Sequence, residues 1–340
     1  ASGGSTGGYD WGGSAGGSVW LDVGVLSGSG NIQANGGHAG NYGGGGGGGR
    51  IAIDYNSLSG FDLQSQMVAV GGQGKNGRPV GSAGTIYLKT KGASLGELRL
   101  DNGAHPTSSA ATELSGDWPE SVHVNNNLLR LEEGSRLSEI LGSGSSVRVE
   151  MVGSISELPG QGLIVEGATM TVQTMQGHFT HLILRNGTVL THSTGQIGGL
   201  QLDVGTVEID GTSKIDVVGK GLGRLAGLED SNPSLHRNGA SHGGLGGIAY
   251  GGTTNPTYGD ARAPTELGAG NDKRGGGAIK LVADSLSLDG QIMASGGSTG
   301  GYDWGGSAGG SVWLDVGVLS GSGNIQANGG HAGNYGGGGG

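Results

Sequence analysis

Residues 17–37 read GSVWLDVGVLSGSGNIQANGG, and this stretch sets the fold class. Val19 and Leu21 alternate with Ser18, Trp20 and Asp22, the period of a strand that buries one face. Ile32-Gln33-Ala34 gives a second short strand, and Gly36-Gly37 permits a sharp bend because glycine has no Cβ. The same frame returns in Gly277-Ala278-Ile279-Lys280-Leu281, Gly49-Arg50-Ile51-Ala52-Ile53 and Gly84-Thr85-Ile86-Tyr87-Leu88. Taking Ile279, Val19 (again as Val312), Ile51 and Ile86 as position zero, the steps are 33, 32 and 35 residues. Leu286, Leu26 and Leu58 lie at plus seven. Ile292-Met293-Ala294 and Met67-Val68-Ala69 repeat the second strand, each one residue short of Gly-Gly. Each subrepeat therefore reads as one coil of a β-solenoid, with these apolar positions in interior ladders and coil-to-coil hydrogen bonds satisfying the backbone. Trp20 and Tyr87 each follow a position-zero residue and are expected to face outward as contact aromatics.

Outward from this frame lies a much longer recurrence. Residues 1–47 return without a change at 294–340, an offset of 293. The expectation is a window on a tandem array: one 293-residue unit plus the start of the next, a polymer within one polypeptide. Ten to twelve coils at the strand spacing would give roughly 50–60 Å of fibre per unit.

Glycine supplies 83 of 340 residues, about a quarter, with no strict three-residue period and only 7 prolines, which excludes collagen. Apolar β-branched segments such as 51–55, 147–152 and 207–209 separate the chain from disordered linkers. The glycine-rich excursions 35–50, 71–84 and 295–310, with seven glycines at 43–49, are expected to stack as extended or left-handed three-residue helices, helped by Tyr9, Trp11 and Tyr42. Residues 1–96 and 278–340 thus form glycine-rich coils with a subrepeat of about 33 residues. Residues 97–220 lose the glycine blocks and read as tighter coils, with short strands from 98–100 to 214–218 and turns such as Asn186-Gly187 and Asp210-Gly211. The one weak helix candidate, 129–141, has Gly134 at its middle. Residues 221–277, with Pro233, Pro256 and Pro264, form a long insertion expected to fold over the solenoid side and cover something.

Four stretches occur in order round the unit: GTSKIDVVG at 211–219, SHGGLGG at 241–247, Tyr258-Gly259-Asp260 before Pro264 and Gly268-Ala269-Gly270, and GGGGGGGRIAIDY at 43–55. In these the chain resembles the glycine-rich repeats of very large microbial surface or secreted, adhesin-like proteins. The resemblance covers 205–280 and 1–91. It implies an extracellular or cell-surface structural role and assigns no individual residue.

The chemistry-bearing residues are sparse. There is no cysteine, hence no disulfide and no thiolate metal site. The net charge of −10 without a basic stripe argues against nucleic acid. No apolar stretch is long enough to span a membrane. The adjacent acids Glu132-Glu133 and Glu229-Asp230 point to opposite faces of a strand, so no cleft of paired carboxylates is expected and no catalytic residue is named. The close pairs His178/His181 and His236/His242 lack metal-binding spacing; no metal ligand or cofactor-binding residue is named. Calcium suits an acidic extracellular solenoid, but no Gly-Gly-x-Gly-x-Asp array supplies its ligands. Gly43–49 lacks the Lys-Ser/Thr of a phosphate loop. Asn186-Gly187-Thr188 is the one glycosylation sequon. The expectation is a structural repeat of an extracellular fibril or stalk whose main partner is itself, not an enzyme. The alternatives are an adhesin module that grips polysaccharide or a cell surface, and a β-helix enzyme acting on polysaccharide.

Overall fold

The computed structural model describes residues 1–7, 10–105, 111–114, 121–132, 134–143, 147–152, 156–157, 162–172, 178–230, 236–249, 251–301 and 303–340. The expectation of an all-β chain holds: among the described residues there is no helix, and long parallel sheets dominate. Side chains of Ser156, Glu157, His178, Glu229 and Asp230, and the whole of Tyr9, Glu133 and Pro233, lie outside the described set. The chain divides into two compact units, Ala1–Thr169 and Met170–Gly340.

The first unit opens with β1 (Ser18–Ser27), β2 (Ile32–Gln33), β3 (Arg50–Ser59), β4 (Met67–Val68) and β5 (Thr85–Thr90). It continues through β6 (Glu97–Asp101), β7 (Ala111–Leu114), β8 (Ser121–Asn125), β9 (Leu128–Leu131) and β10 (Arg136–Leu137). It closes with β11 (Glu139–Ser143), β12 (Arg148–Met151), β13 (Ser156–Glu157) and β14 (Leu163–Glu166). The weak helix candidate at 129–141 carries strands instead, with Gly134 at φ 79° between them. The main ladder runs β1-β3-β5-β6-β8-β11-β14, and a second runs β7-β9-β12.

Register puts like on like. Val19 stands beside Ile51 and Ile51 beside Ile86; Leu21, Ile53 and Leu88 form the next row. These rows join Ala34, Met67 and Ala69 in one apolar cluster. Leu58, expected in the interior, is 39% exposed, because β5 stops at Thr90 opposite Tyr55 and leaves no rung over it.

One junction differs from simple stacking. β5 and β6 pair antiparallel, with Ile86 opposite Arg99, Tyr87 opposite Leu98 and Leu88 opposite Glu97. Only six residues join them, with Gly92 at φ 91°, too few for a parallel crossover. Opposed residues share a face of the sheet. The buried Ile86 and Leu88 therefore lie on one face, and the buried Leu98 and Leu100 on the other. From β6 onward the core occupies the face that was outside. Leu98, Val122, Ile140 and Val165 carry it, all fully buried in one row.

Glycine runs fill the side of the early coils. The N–H groups of Gly46 and Gly49 donate back to Gly37 and Ala34 of the same excursion. Those of Gly45 and Gly48 donate forward to Pro79 and Ser82, while the carbonyls of Gly44 and Gly47 accept from Gly13 and Gly16. Each direction recurs every third residue, and none of Gly43–49 has positive φ. This is the repeat of three-residue extended helices packed side by side. Close approach demands glycine: a Cβ on Gly46 would collide with the Ser14 carbonyl. Where the runs end, side chains take over. Buried Asn102 accepts from Gly71 N–H (2.8 Å) and donates to Gly81 C=O (3.1 Å), and Asn127 accepts from Ala83 N–H.

At the boundary lies β15 (Thr169–Val172). The second unit contains β16 (His178–Arg185), β17 (Val189–His192), β18 (Leu200–Ile209), β19 (Lys214–Asp216), β20 (Glu229–Asp230) and β21 (Gly252–Thr253). It ends with β22 (Ala278–Leu288), β23 (Gln291–Met293), β24 (Ser311–Ser320) and β25 (Asn324–Gln326). Parallel ladders β16-β18-β22-β24 and β17-β19-β23-β25 bury Leu202 beside Leu281, and Leu190, Ile215 and Ile292 in a row. The long insertion carries the small antiparallel pair β20–β21 and otherwise joins the glycine stack. Ala240 N–H donates to Gly306, Gly247 to Gly338 and Gly337 to Arg237. Asn271 Nδ2 donates to the carbonyls of His236 and Asn238 (2.7 Å each) and so pins this layer.

Candidate functional site

The two copies of the 47-residue segment are the most informative surface. Within each copy the backbone bonds agree. Thr6 donates to His38 as Thr299 does to His331, and Gly13 to Gly44 as Gly306 to Gly337. What differs is the neighbour. β1 pairs with β3, the strand that follows it; β24, its duplicate, pairs with β22, the strand that precedes it.

The peptide joining Gly17 to Ser18 fixes the geometry. Its carbonyl accepts from Arg50 N–H, toward β3 (2.9 Å). In the duplicate, the N–H of Ser311 donates to Gly277, toward β22 (3.1 Å). In a trans peptide these two groups point opposite ways. The same strand thus uses one edge in one copy and the other edge in the other.

Burial is complementary in the same sense. Ser14 and Ala15 are exposed while Ser307 and Ala308 are fully buried; Ala34 is fully buried while Ala327 is exposed. The glycines agree. A Cβ on Gly45 would strike Gly72, yet Gly338 has open space. Gly44 has only ordinary contact, with Pro79 at 3.6 Å, yet its duplicate Gly337 is pressed against Gly247.

The outward aromatics lie on the face away from the first core. Trp20, Ala52 and Tyr87 form one row on β1, β3 and β5. Trp20 is 72% exposed. Its duplicate Trp313 is half-buried, with Lys280 Nζ 4.3 Å from the ring centroid, a cation–π contact. Tyr87 is also half-buried, because the core change at β5–β6 brings Leu98 onto its face and its ring lies against Gly96. Burial, then the charge of Asp54, pushes the Tyr87 hydroxyl above its ordinary pKa. The short interval between Thr90 and Glu97 was the signal for this arrangement, since it admits only a hairpin.

Asn186 is exposed at a left-handed turn (φ 56°), and its N–H donates to Asp210 Oδ2. The sequon's Thr188 is fully buried and donates to Arg185 C=O. Asp210 gathers the turn. Partial burial works against its charge, but the Asn186 N–H and the Thr212 and Ser213 hydroxyls hold its pKa at about 2.

The histidines are dispersed. His38 Nδ1 accepts from Gln73 N–H, His181 bonds Thr206, and His242 packs against Tyr258 with ring centroids 4.8 Å apart. His192 is fully buried, with Nδ1 on Ser193 C=O and Nε2 accepting from Ala278 N–H, a pairing that needs the neutral ring. Burial lowers its pKa accordingly. Among the described residues no three His, Cys, Asp or Glu gather closely enough to hold a metal ion, and no helix is long and apolar enough to cross a membrane. No family model, no curated protein and no solved structure matches the chain.

Proposed function

We propose that the chain is a structural repeat of an extracellular or cell-surface fibril, a β-solenoid polymer within one polypeptide that provides length and stiffness and no catalysis. The observation that carries this reading is the opposite use of the two edges of one strand. A segment with β22 on one edge and β3 on the other becomes an interior rung, and identical units then join without a seam. Complementary burial supports it: Gly12, Ser14 and Ala15 are exposed in the first copy and buried as Gly305, Ser307 and Ala308 in the second, while Ala34 is buried in the first copy and its duplicate Ala327 is exposed. So does the run of seven glycines, whose full length is required only when neighbours lie on both sides. The extracellular setting rests on the resemblance to microbial surface repeats.

Cryo-EM of the native material tests this. The expected result is an unbroken rod with one fixed axial period per 293-residue unit and continuous density through the Met293–Ala294 junction. Beads on flexible gaps would overturn it and favour a bounded adhesin module.

A further inference from the structure

The outward row of the first unit has chemistry that a purely structural fibre does not use. Trp20 and Tyr87 stand two rungs apart, about 9.6 Å, with only the methyl group of Ala52 between them. The row is therefore a shallow trough with an aromatic ring at each end. Beside it runs the row Asp22–Asp54–Lys89, in which Asp22 also forms an ion pair with Lys91. Arg50 flanks the other side. At the Tyr87 end the trough meets a wall. The core has changed face, so β7 rises over the sheet, held where Thr112 Oγ1 donates to Ala83 C=O (2.7 Å). The resulting hollow measures about 560 Å³ and is lined by Arg50, Tyr87, Thr112 and Glu113. That is within the usual range for ligand sites. The Tyr87 ring is held in place: a Cβ on Gly96 would come within 2.9 Å of it.

We infer that the Trp20–Ala52–Tyr87 row binds an extended β-1,4-linked polysaccharide lying along the stacking direction. Such a chain is close to two-fold, so every second sugar shows the same face, and a disaccharide matches two rungs in length. Each ring takes the apolar face of one such sugar, as amphipathic aromatic rings do in sites with an apolar body and a polar rim. The carboxylates of Asp22 and Asp54 accept hydroxyl hydrogens of the same chain. The hollow at β7 receives its end. This site goes beyond the structural role; if units join as proposed, each inner Trp20 stands as Trp313 does, with Lys280 Nζ 4.3 Å from its ring centroid, so a chain of several units binds with fewer fully open rings than the 340-residue chain.

Isothermal titration of the 340-residue chain with cellohexaose and with chitohexaose tests the inference. Binding of at least one is expected. Trp20→Ala and Tyr87→Ala should each weaken it roughly tenfold, the loss of one stacking contact. Tyr87→Phe keeps the ring and should retain most of the affinity, which separates lost stacking from lost folding. Trp11→Ala removes another exposed indole, 69% exposed on a glycine excursion, and should leave affinity unchanged. Absence of binding to both sugars, or equal affinities for Trp20→Ala and Trp11→Ala, would overturn it. So would tighter binding of polygalacturonate, since Arg50 would then be reading acidic sugars.

Discussion

Gly44 and Gly337 are the same residue of the repeat in two settings. A side chain at Gly44 meets only Pro79 at ordinary contact distance, whereas at Gly337 it meets the backbone of Gly247. Gly44→Ala should be neutral or stabilise by about 0.4–1 kcal/mol through the unfolded chain. Gly337→Ala should cost about 1–3 kcal/mol by overpacking. Chemical denaturation of the two variants checks this, and equal effects would count against stacking of one copy's neighbours on the other. The turn at Asp210 gives a pH signature. Its folded pKa of about 2 lies below the unfolded value, so its contribution is complete above about pH 4 and is lost as pH falls through 2. His192, whose pKa is lowered by burial, adds a loss of the same sign that begins below its unfolded value of about 6.5. Asp210→Asn should flatten the acid limb of a melting-temperature profile and leave the limb near pH 6 in place. The crowded glycines were legible in the sequence as a run. Which of them are crowded was not, because that depends on which distant segment packs against each, Ser14 for Gly46 and Gly72 for Gly45.

At the scale of the element, strand positions were readable because period-two alternation and β-branched residues leave little choice. Ile279, Ile51 and Ile86 fall in the buried row as read. The length of each rung was not readable. Leu286 and Leu58 hold the same subrepeat position, yet Leu286 is fully buried and Leu58 is 39% exposed. Leu286→Ala should therefore cost about 2–5 kcal/mol, and Leu58→Ala under about 1 kcal/mol. Urea unfolding of both distinguishes burial from sequence position. The reversal between β5 and β6 was present in the sequence as a six-residue gap, but the strong repeat before it made continued parallel stacking the natural expectation. Its consequence, a core that changes face, follows only from register: Tyr87 stands opposite Leu98, so an outward position in one strand adjoins an interior position in the next. Trp20 and Tyr87 were readable as outward from the alternation, but the wall beside their row arises at this junction, and residue types alone could not have located it.

For the whole molecule, the argument turns on what an end is. In the first copy Ser18 presents an N–H whose duplicate, on Ser311, is bonded to Gly277. The proposed fibre predicts that in a chain of several units this N–H becomes an interior ladder bond wherever one unit follows another. Stability in such stacks is approximately a sum of unit terms and nearest-neighbour interface terms, so chains of one, two and four units should differ by interfaces rather than by new kinds of contact. The denaturation midpoint should rise from one unit to two and approach a plateau by four. Amide exchange gives the local form of the same prediction. In the 340-residue chain Ser311 should be protected and Ser18 should exchange rapidly, whereas in a four-unit chain the Ser18 equivalents of the inner units should match Ser311. A midpoint independent of unit number, with Ser18 unprotected throughout, would mean that the units are independent beads. The ladder bonds of β22 to β24 and of β1 to β3 would then be alternatives for one strand rather than its two edges.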